Sequence, residues 1–275
     1  MKLDYFTLLT PDPISLSIGT LRKPTLREIS KLTFFKYGMY QVYIKLTPRD
    51  YYTVLNKNKN NGYWDTLSEE QKNEISIYDL ILSEEQLLHT YLEILNYFFV
   101  ERIAFRDGLF FVMGEDESGS SNNESSGNEN NLDNVVGIIN PITFNEVIDA
   151  IQQICCIKSE DPLDEATPKF KNEKAKKLYE RMLKAKEEQN KRRARENHVN
   201  TTLPNIISAT AAKSNSLNII NIWDITVFQL YDQFYKLRNN DIHYLNVVRT
   251  SVWGDEKNQF DQAFWYRNNF EKQPN

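Results

Sequence analysis

The residues best suited to chemistry in this chain are three histidines, a pair of aspartates and two adjacent cysteines. His89, His198 and His243 lie far apart, and none has a ligand or acid partner at a spacing that metal binding or proton transfer would need. His89 sits beside a helical apolar face, as a packed or surface histidine does. His198 falls in a polar turn, and His243 is expected to open a terminal helix. Asp224 and Asp232 invite an acid–base reading. Asp224 stands just before Ile225-Thr226, where an N-cap is the simpler role, and Asp232 suits a solvated helix face. Cys155 and Cys156 are neighbours, and a bridge between neighbours is strained, so no disulfide framework is expected. Two thiols are too few for structural zinc. Within Ile154-Cys155-Cys156-Ile157 they read as small buried hydrophobes, at home in a reducing compartment.

The local signatures of catalysis are missing. The chain has no G-x-x-x-x-G-K-[ST] phosphate loop, no G-x-G-x-x-G, no G-x-S-x-G, no H-E-x-x-H and no calcium loop. The expectation is a protein that is not an enzyme, with no catalytic residue, no cofactor and no metal. Its information then lies in surfaces, and two stretches stand out.

The first is electrostatic. Residues 169–195 carry 12 Lys and Arg against 4 Glu, in a chain whose net charge is -5. Ala175, Leu178, Met182 and Ala185 give the stretch a thin apolar stripe, so it reads as a long exposed helix. Its basic arm comprises Lys184, Lys191, Arg192, Arg193 and Arg195. It could tether two units as a solvated helix, dock on an acidic protein surface, or contact a phosphate backbone. Only Phe170 and Tyr179 interleave, so base stacking is not suggested.

The second stretch is aromatic. Trp223, Phe228, Tyr231, Phe234, Tyr235, Trp253, Phe260, Phe264, Trp265 and Tyr266 crowd the C-terminal part. A small bundle cannot hide all of them, and exposed aromatic patches mark interfaces. Trp223, Tyr231, Tyr235, Trp253 and Trp265 are the candidate partner-binding residues.

These features need elements to hold them. Hydrophobic residues make up 40% of the 275, with 15 Tyr and 15 Phe, enough for a substantial core. Ile14 to Ile18 alternates like a half-buried strand. Thr25-Leu26-Arg27-Glu28 is a capping box that should open a helix running through Ile29, Leu32, Phe35 and Tyr37 toward Tyr40 and Val42. Pro48 should start a short helix. Ser68-Glu69-Glu70-Gln71, Ser83-Glu84-Glu85-Gln86 and Thr143-Phe144-Asn145-Glu146 are further capping boxes. The second should open a helix on which Leu88, Leu92, Leu95 and Phe99 recur at helical spacing, with Tyr91 and Phe98 beside them. Asp107-Gly108 between apolar runs predicts a two-residue hairpin. Residues 115–134 form an acidic low-complexity tract expected to be a disordered loop, after which Val135 to Ile139 resumes strand composition.

Toward the C-terminus, Leu203 to Ala211 predicts one helix, Ile225 to Leu237 a second, and Ile242 to Val252 a third. The fold expected is mainly α with a small β component. It comprises an α+β N-terminal unit (1–157), a linker and basic helix (158–200) and an aromatic-rich C-terminal helical bundle (201–275). No secretory pattern opens the chain, and no window approaches the ~18 apolar residues of a membrane span, so a cytoplasmic protein is expected.

The run Asn215 to Phe234, which reads Asn-Ser-Leu-Asn-Ile-Ile-Asn-Ile-Trp-Asp-Ile-Thr-Val-Phe-Gln-Leu-Tyr-Asp-Gln-Phe, resembles the C-terminal part of proteins encoded by tailed phages of Gram-positive bacteria. Leu3-Asp4-Tyr5-Phe6, Pro24 to Ile29 and Ser251-Val252-Trp253-Gly254 fit the same group. Those proteins look like tail-assembly chaperones, found in the tail module near the tape-measure protein. The resemblance implies binding without catalysis: a chaperone or scaffold that coats a long helical client such as a tape-measure protein until tube subunits assemble around it. A structural component of the tail or baseplate is the alternative. A nucleic-acid-associated factor acting through residues 169–195 is a further one. No residue roles carry over from the family.

Overall fold

The computed structural model describes residues 2–55, 62–114, 134–157, 202–255 and 260–270. The basic arm and all but the last residue of the acidic tract lie outside these ranges, as does His198.

The chain opens with a short helix, α1 (Tyr5–Leu9), N-capped by Asp4. Lys23 then stops it from the side: its Nζ donates to the carbonyl oxygens of Thr7 and Thr10, the last acceptors of that turn. Strands β1 (Ile14–Leu16) and β2 (Gly19–Leu21) pair antiparallel, with Ile14 opposite Leu21. The alternation read from Ile14 to Ile18 is thus the first strand of a hairpin plus its turn.

The Thr25 box forms, with Glu28 reaching back to the Thr25 N–H at 2.7 Å. Its helix is shorter than the periodicity suggests. Helix α2 (Leu26–Leu32) ends at Thr33, whose φ of 80° lies outside the helical region, and Thr33 then caps a separate helix α3 (Phe34–Ile44). A turn at Pro48–Asp50 continues as the π-helix Tyr51–Leu55, and one more turn spans Tyr63–Thr66. Helix α4 (Glu69–Glu74) carries the Ser68 box as read.

The next two caps fall elsewhere. Ser76 with Asp79 makes the box that opens α5 (Ile77–Ser83), while Ser83 merely bonds back to the Leu80 carbonyl. Helix α6 (Glu85–Phe98) therefore starts without a side-chain cap, and it buries Leu87, Tyr91, Ile94, Leu95 and Phe98. Leu95 and Phe99 are buried as expected, and Tyr91 and Phe98 beside them, while Leu88 and Leu92 are half-covered because the core lies on the Tyr91 side. Likewise Asn140, not Thr143, caps α7 (Pro141–Ile154). Pro141 takes the first helical position, which needs no N–H, and Thr143 becomes the third residue of the box.

Strands β3 (Arg102–Arg106), β4 (Leu109–Met113) and β5 (Val135–Ile139) form a sheet in that order, all antiparallel. Asp107 and Gly108 turn the hairpin with φ of 48° and 78°, as an Asp-Gly two-residue turn requires. Because β4 pairs directly with β5, the acidic tract connects two neighbouring strands within one sheet. Gly137 in β5 is required: a side chain there would collide with the backbone of Ile18 at the tip of the β1–β2 hairpin.

The C-terminal part contains α8 (Leu203–Lys213) and a single long helix, α9 (Val227–Trp253), so the two helices expected after residue 225 are one. Nothing breaks the run near Arg238 to Asp241, and 27 residues give a helix of about 40 Å. His243 consequently lies inside this helix. Thr226 caps it, boxed with Gln229; Asp224 lies in a preceding 3-10 turn and pairs instead with Arg27 at 2.7 Å.

One core unites these parts. Tyr78 meets Phe110 and Phe144 edge-on, and Tyr91 tilts against Phe144, between α5, α6, α7 and the sheet. Phe228 and Leu230 of α9 belong to the same buried cluster. Main-chain pairing joins them too, since Leu26 N donates to Ile225 O at 2.9 Å and Thr25 bridges Thr226.

Candidate functional site

Titratable groups come first, since chemistry would need them gathered. His89 is exposed, 3.6 Å from Glu93, which also accepts from Lys36 at 3.0 Å and Tyr40 at 3.3 Å. The Lys36 hydrogen bond holds the Glu93 carboxyl below its ordinary range. This network lies on the surface and stitches α3 to α6. Asp232 is buried instead of solvated, and it accepts from the Tyr5 hydroxyl at 2.7 Å, tying α9 to α1. Asp224 and Asp232 thus serve two different contacts and form no acid–base pair.

Cys155 is buried and Cys156 half-buried, both unbridged. Burial pushes the Cys155 thiol up to about 12, which keeps it protonated and unreactive near neutrality. Among the described residues, no group of three or more His, Cys, Asp or Glu could hold a metal ion, and no helix is long and apolar enough to cross a membrane. A cleft of about 220 Å³ beside α7 is edged by Lys45, Tyr91, Asn145 and Asp149.

The surface gives a stronger signal, and it lies on α9. Along this helix Val227, Leu230, Phe234, Leu237, Asp241, Tyr244 and Val248 recur at alternating spacings of three and four, the period that keeps one face toward a partner helix. The face changes its surroundings along the way. Val227 and Leu230 are buried, Phe234 and Leu237 are half-buried, and Tyr244 and Val248 are exposed. Leu245 and Val252 flank the far end, 65% and 64% exposed.

The cause is where the neighbouring segments stop. Helix α8 packs on α9 with Leu203, Ile206, Ile207 and Thr210 buried, and ends at Lys213, which pairs with Asp241. The tail returns along another flank. Phe270 packs on Phe228 with ring centres 4.5 Å apart, Lys236 Nζ donates to the Tyr266 and Arg267 carbonyls at 2.7 Å each, and Phe260 stacks on His243. Past Asp241 no described residue covers the apolar face, which runs on to Trp253, and Gly254, with φ of 76°, ends the helix.

The five aromatic candidates divide accordingly. Trp223 is half-buried, its indole N–H donating to the Ile219 carbonyl at 2.8 Å. Tyr231 and Tyr235 are half-buried on the core side, and burial pushes the Tyr231 hydroxyl up to about 12. Trp253 is 74% exposed at the end of α9, and Trp265, exposed on the returning tail, packs edge-on against Tyr266. Trp253 and the distal stripe thus occupy the outer part of the helix, Tyr231 and Tyr235 its inner part, and Trp223 and Trp265 lie outside it. Tyr244, Leu245, Val248 and Val252 were not among the candidates from sequence. Leu245, Val248 and Val252 already stand three and four apart within the helix expected over Ile242 to Val252, and reading residues 227–253 as one helix shows that they continue the core-facing pattern. A smaller exposed apolar face, Phe35, Met39 and Val42, lies on α3 beside Gly38.

Residues 190–269 match the family described as YomV second domain, a phage-associated family. The matched segment contains α8, α9 and most of the returning tail, and so includes the whole distal stripe. No curated protein and no solved structure matches the chain.

Proposed function

We propose that this chain is a non-catalytic phage assembly factor, a tail-assembly chaperone or scaffold that holds a helical client on the distal face of α9. The observation that carries this reading is the stripe itself. A helix that continues its core-facing pattern beyond the core, ending in Tyr244, Leu245, Val248, Val252 and Trp253, presents the surface that a second amphipathic helix covers. A protein without such a role gains nothing from keeping these side chains in water, since monomeric proteins seldom expose large contiguous apolar patches. The phage-associated match over this segment supports the setting. The resemblance of Asn215 to Phe234 to tail-assembly chaperones supports the type of client, a long helical tail protein of the tape-measure kind.

The test is co-expression with a long helical tail protein encoded beside it, followed by pull-down at low and high salt. A salt-resistant complex is expected, because apolar contacts survive screening. Recovery of nucleic acid alone, lost as salt rises, would instead assign the work to the basic arm and overturn the proposal.

A further inference from the structure

We propose that the cleft beside α7 binds a single hydrophobic amino-acid unit bearing a free carboxylate, either a free amino acid or the last residue of a polypeptide. None of the lining residues belongs to α9, so the inference stands apart from the client reading.

Four elements form the walls: the end of α3 with the turn after it (Ile44–Thr47), Ile77 at the start of α5, Tyr91 of α6, and one side of α7 from Phe144 to Gln152. Two hydrogen bonds fix these walls to one another. The Tyr91 hydroxyl donates to the Tyr43 carbonyl at 2.7 Å, and the Gln152 amide donates to the Ile44 carbonyl at 2.8 Å. Both donors are therefore engaged by the last carbonyls of α3 before any ligand arrives. The deep surface is apolar: Ile44, Tyr91 and Phe144 line the cleft and are each 2% exposed or less. A sugar or a phosphate would set hydroxyls or charge against that wall unpaired, at a cost that hydrocarbon does not meet.

Size narrows the choice. A cavity of about 150 Å³ holds a benzene ring. At about 220 Å³ the cleft holds a ring or a branched alkyl group with a few further atoms, the bulk of one Phe, Leu or Met side chain.

The mouth supplies the polar end. Lys45, the C-cap residue of α3, is exposed and forms no ion pair among the described residues. Asp149 stands on the α7 wall, where it accepts from Gln153 at a long 3.4 Å. A carboxylate suits Lys45, and an N–H suits Asp149. The two occur together around the α-carbon of an amino acid or of a chain's last residue. A simple aryl or alkyl acid lacks the N–H and would leave Asp149 beside a second carboxylate.

The test titrates the full chain with N-acetyl-L-phenylalanine, its amide and N-acetylglycine, read by calorimetry and by isoleucine methyl signals in NMR spectra. N-acetyl-L-phenylalanine should bind and shift the methyl signals of Ile77 and Ile148, while those of Ile219 and Ile220, exposed elsewhere, stay in place. N-acetylglycine should bind roughly ten-fold more weakly or worse, since it has no side chain to bury. The amide should bind about three-fold more weakly, because an ion pair at an exposed mouth contributes modestly. Lys45→Met keeps the side-chain stem and should bring acid and amide to equal affinity. Ile148→Trp fills the cleft and should abolish binding; Lys45→Met, at an exposed position, carries the test if that larger change disturbs folding. Free phenylalanine binding more tightly than the acetylated form would identify a free amino acid as the ligand, and a longer peptide ending in phenylalanine binding more tightly would identify a chain end. Either result supports the assignment. No shift at Ile77 and Ile148 with about 10 mM N-acetyl-L-phenylalanine, which detects even millimolar binding, overturns it. So does equal affinity for acid and amide in the wild type, or a preference for the acid that survives Lys45→Met.

Discussion

The two halves of α9 carry the same pattern and meet opposite surroundings. In the proximal half, Val227, Phe228 and Leu230 are buried against α1 and α8, and Phe270 closes over Phe228. In the distal half, Tyr244, Leu245, Val248 and Val252 continue the pattern with nothing among the described residues to cover them. Periodicity reports what a face is built to contact, while only the neighbours decide whether that contact lies within the chain. An apolar stripe that outruns its core is therefore a different object from core, although the two look alike in sequence.

The comparison makes its largest prediction in stability. Phe228→Ala removes a fully buried ring packed on Tyr5 and Phe270, and should cost about 3–5 kcal/mol in urea unfolding. Val248→Ala in the distal half should stay within about 0.5 kcal/mol of wild type in the same assay. Equal losses at the two positions would mean that the distal half is also core.

A smaller effect is expected where the helix begins. Thr226→Ala removes the side chain that caps α9 beside the Thr25 bridge, and should cost about 1 kcal/mol by thermal or chemical unfolding.

The proximal half should also carry alkaline sensitivity. Burial raises the folded pKa of Tyr231 to about 12, above that of the unfolded chain. The unfolded tyrosine ionises first as pH rises past about 10, while the folded one stays neutral. Its contribution is thus complete below pH 10 and lost between about 10 and 12. Tyr231→Phe should make the fall in stability over that window shallower, as unfolding midpoints measured across the range would show.

The smallest effect is expected outside the helix. Replacing Lys191, Arg192 and Arg193 together with Gln should leave client capture at high salt nearly unchanged, if the apolar stripe is the contact. Loss of capture in that triple variant would move the binding work to the basic arm.

Much of the architecture was legible in the chain. The Asp107-Gly108 hairpin, the Thr25 and Ser68 boxes and the helix over Leu203 to Ala211 all follow from local rules, and local rules suffice where one residue must adopt an unusual backbone angle or cap a free N–H. Local rules fall short where two local solutions compete. Ser76 and Asn140 supplied caps as good as those read at Ser83 and Thr143, and the helices began where packing favoured the former. Thr33 broke a continuous periodicity into α2 and α3, while Arg238 to Asp241, polar enough to suggest a break, did not interrupt α9. Asp232 went from surface to interior because Tyr5, 227 residues away in the sequence, supplied a donor.

The sequence alone determined the mainly helical class, the turn and cap chemistry and the crowding of aromatic residues toward the C-terminus, since each rests on contacts within a few residues. Tertiary structure decided which aromatic residues hold the core and which face water. That choice depends on where Lys213 ends α8 and where Phe270 returns to Phe228, and no local pattern contains either distance.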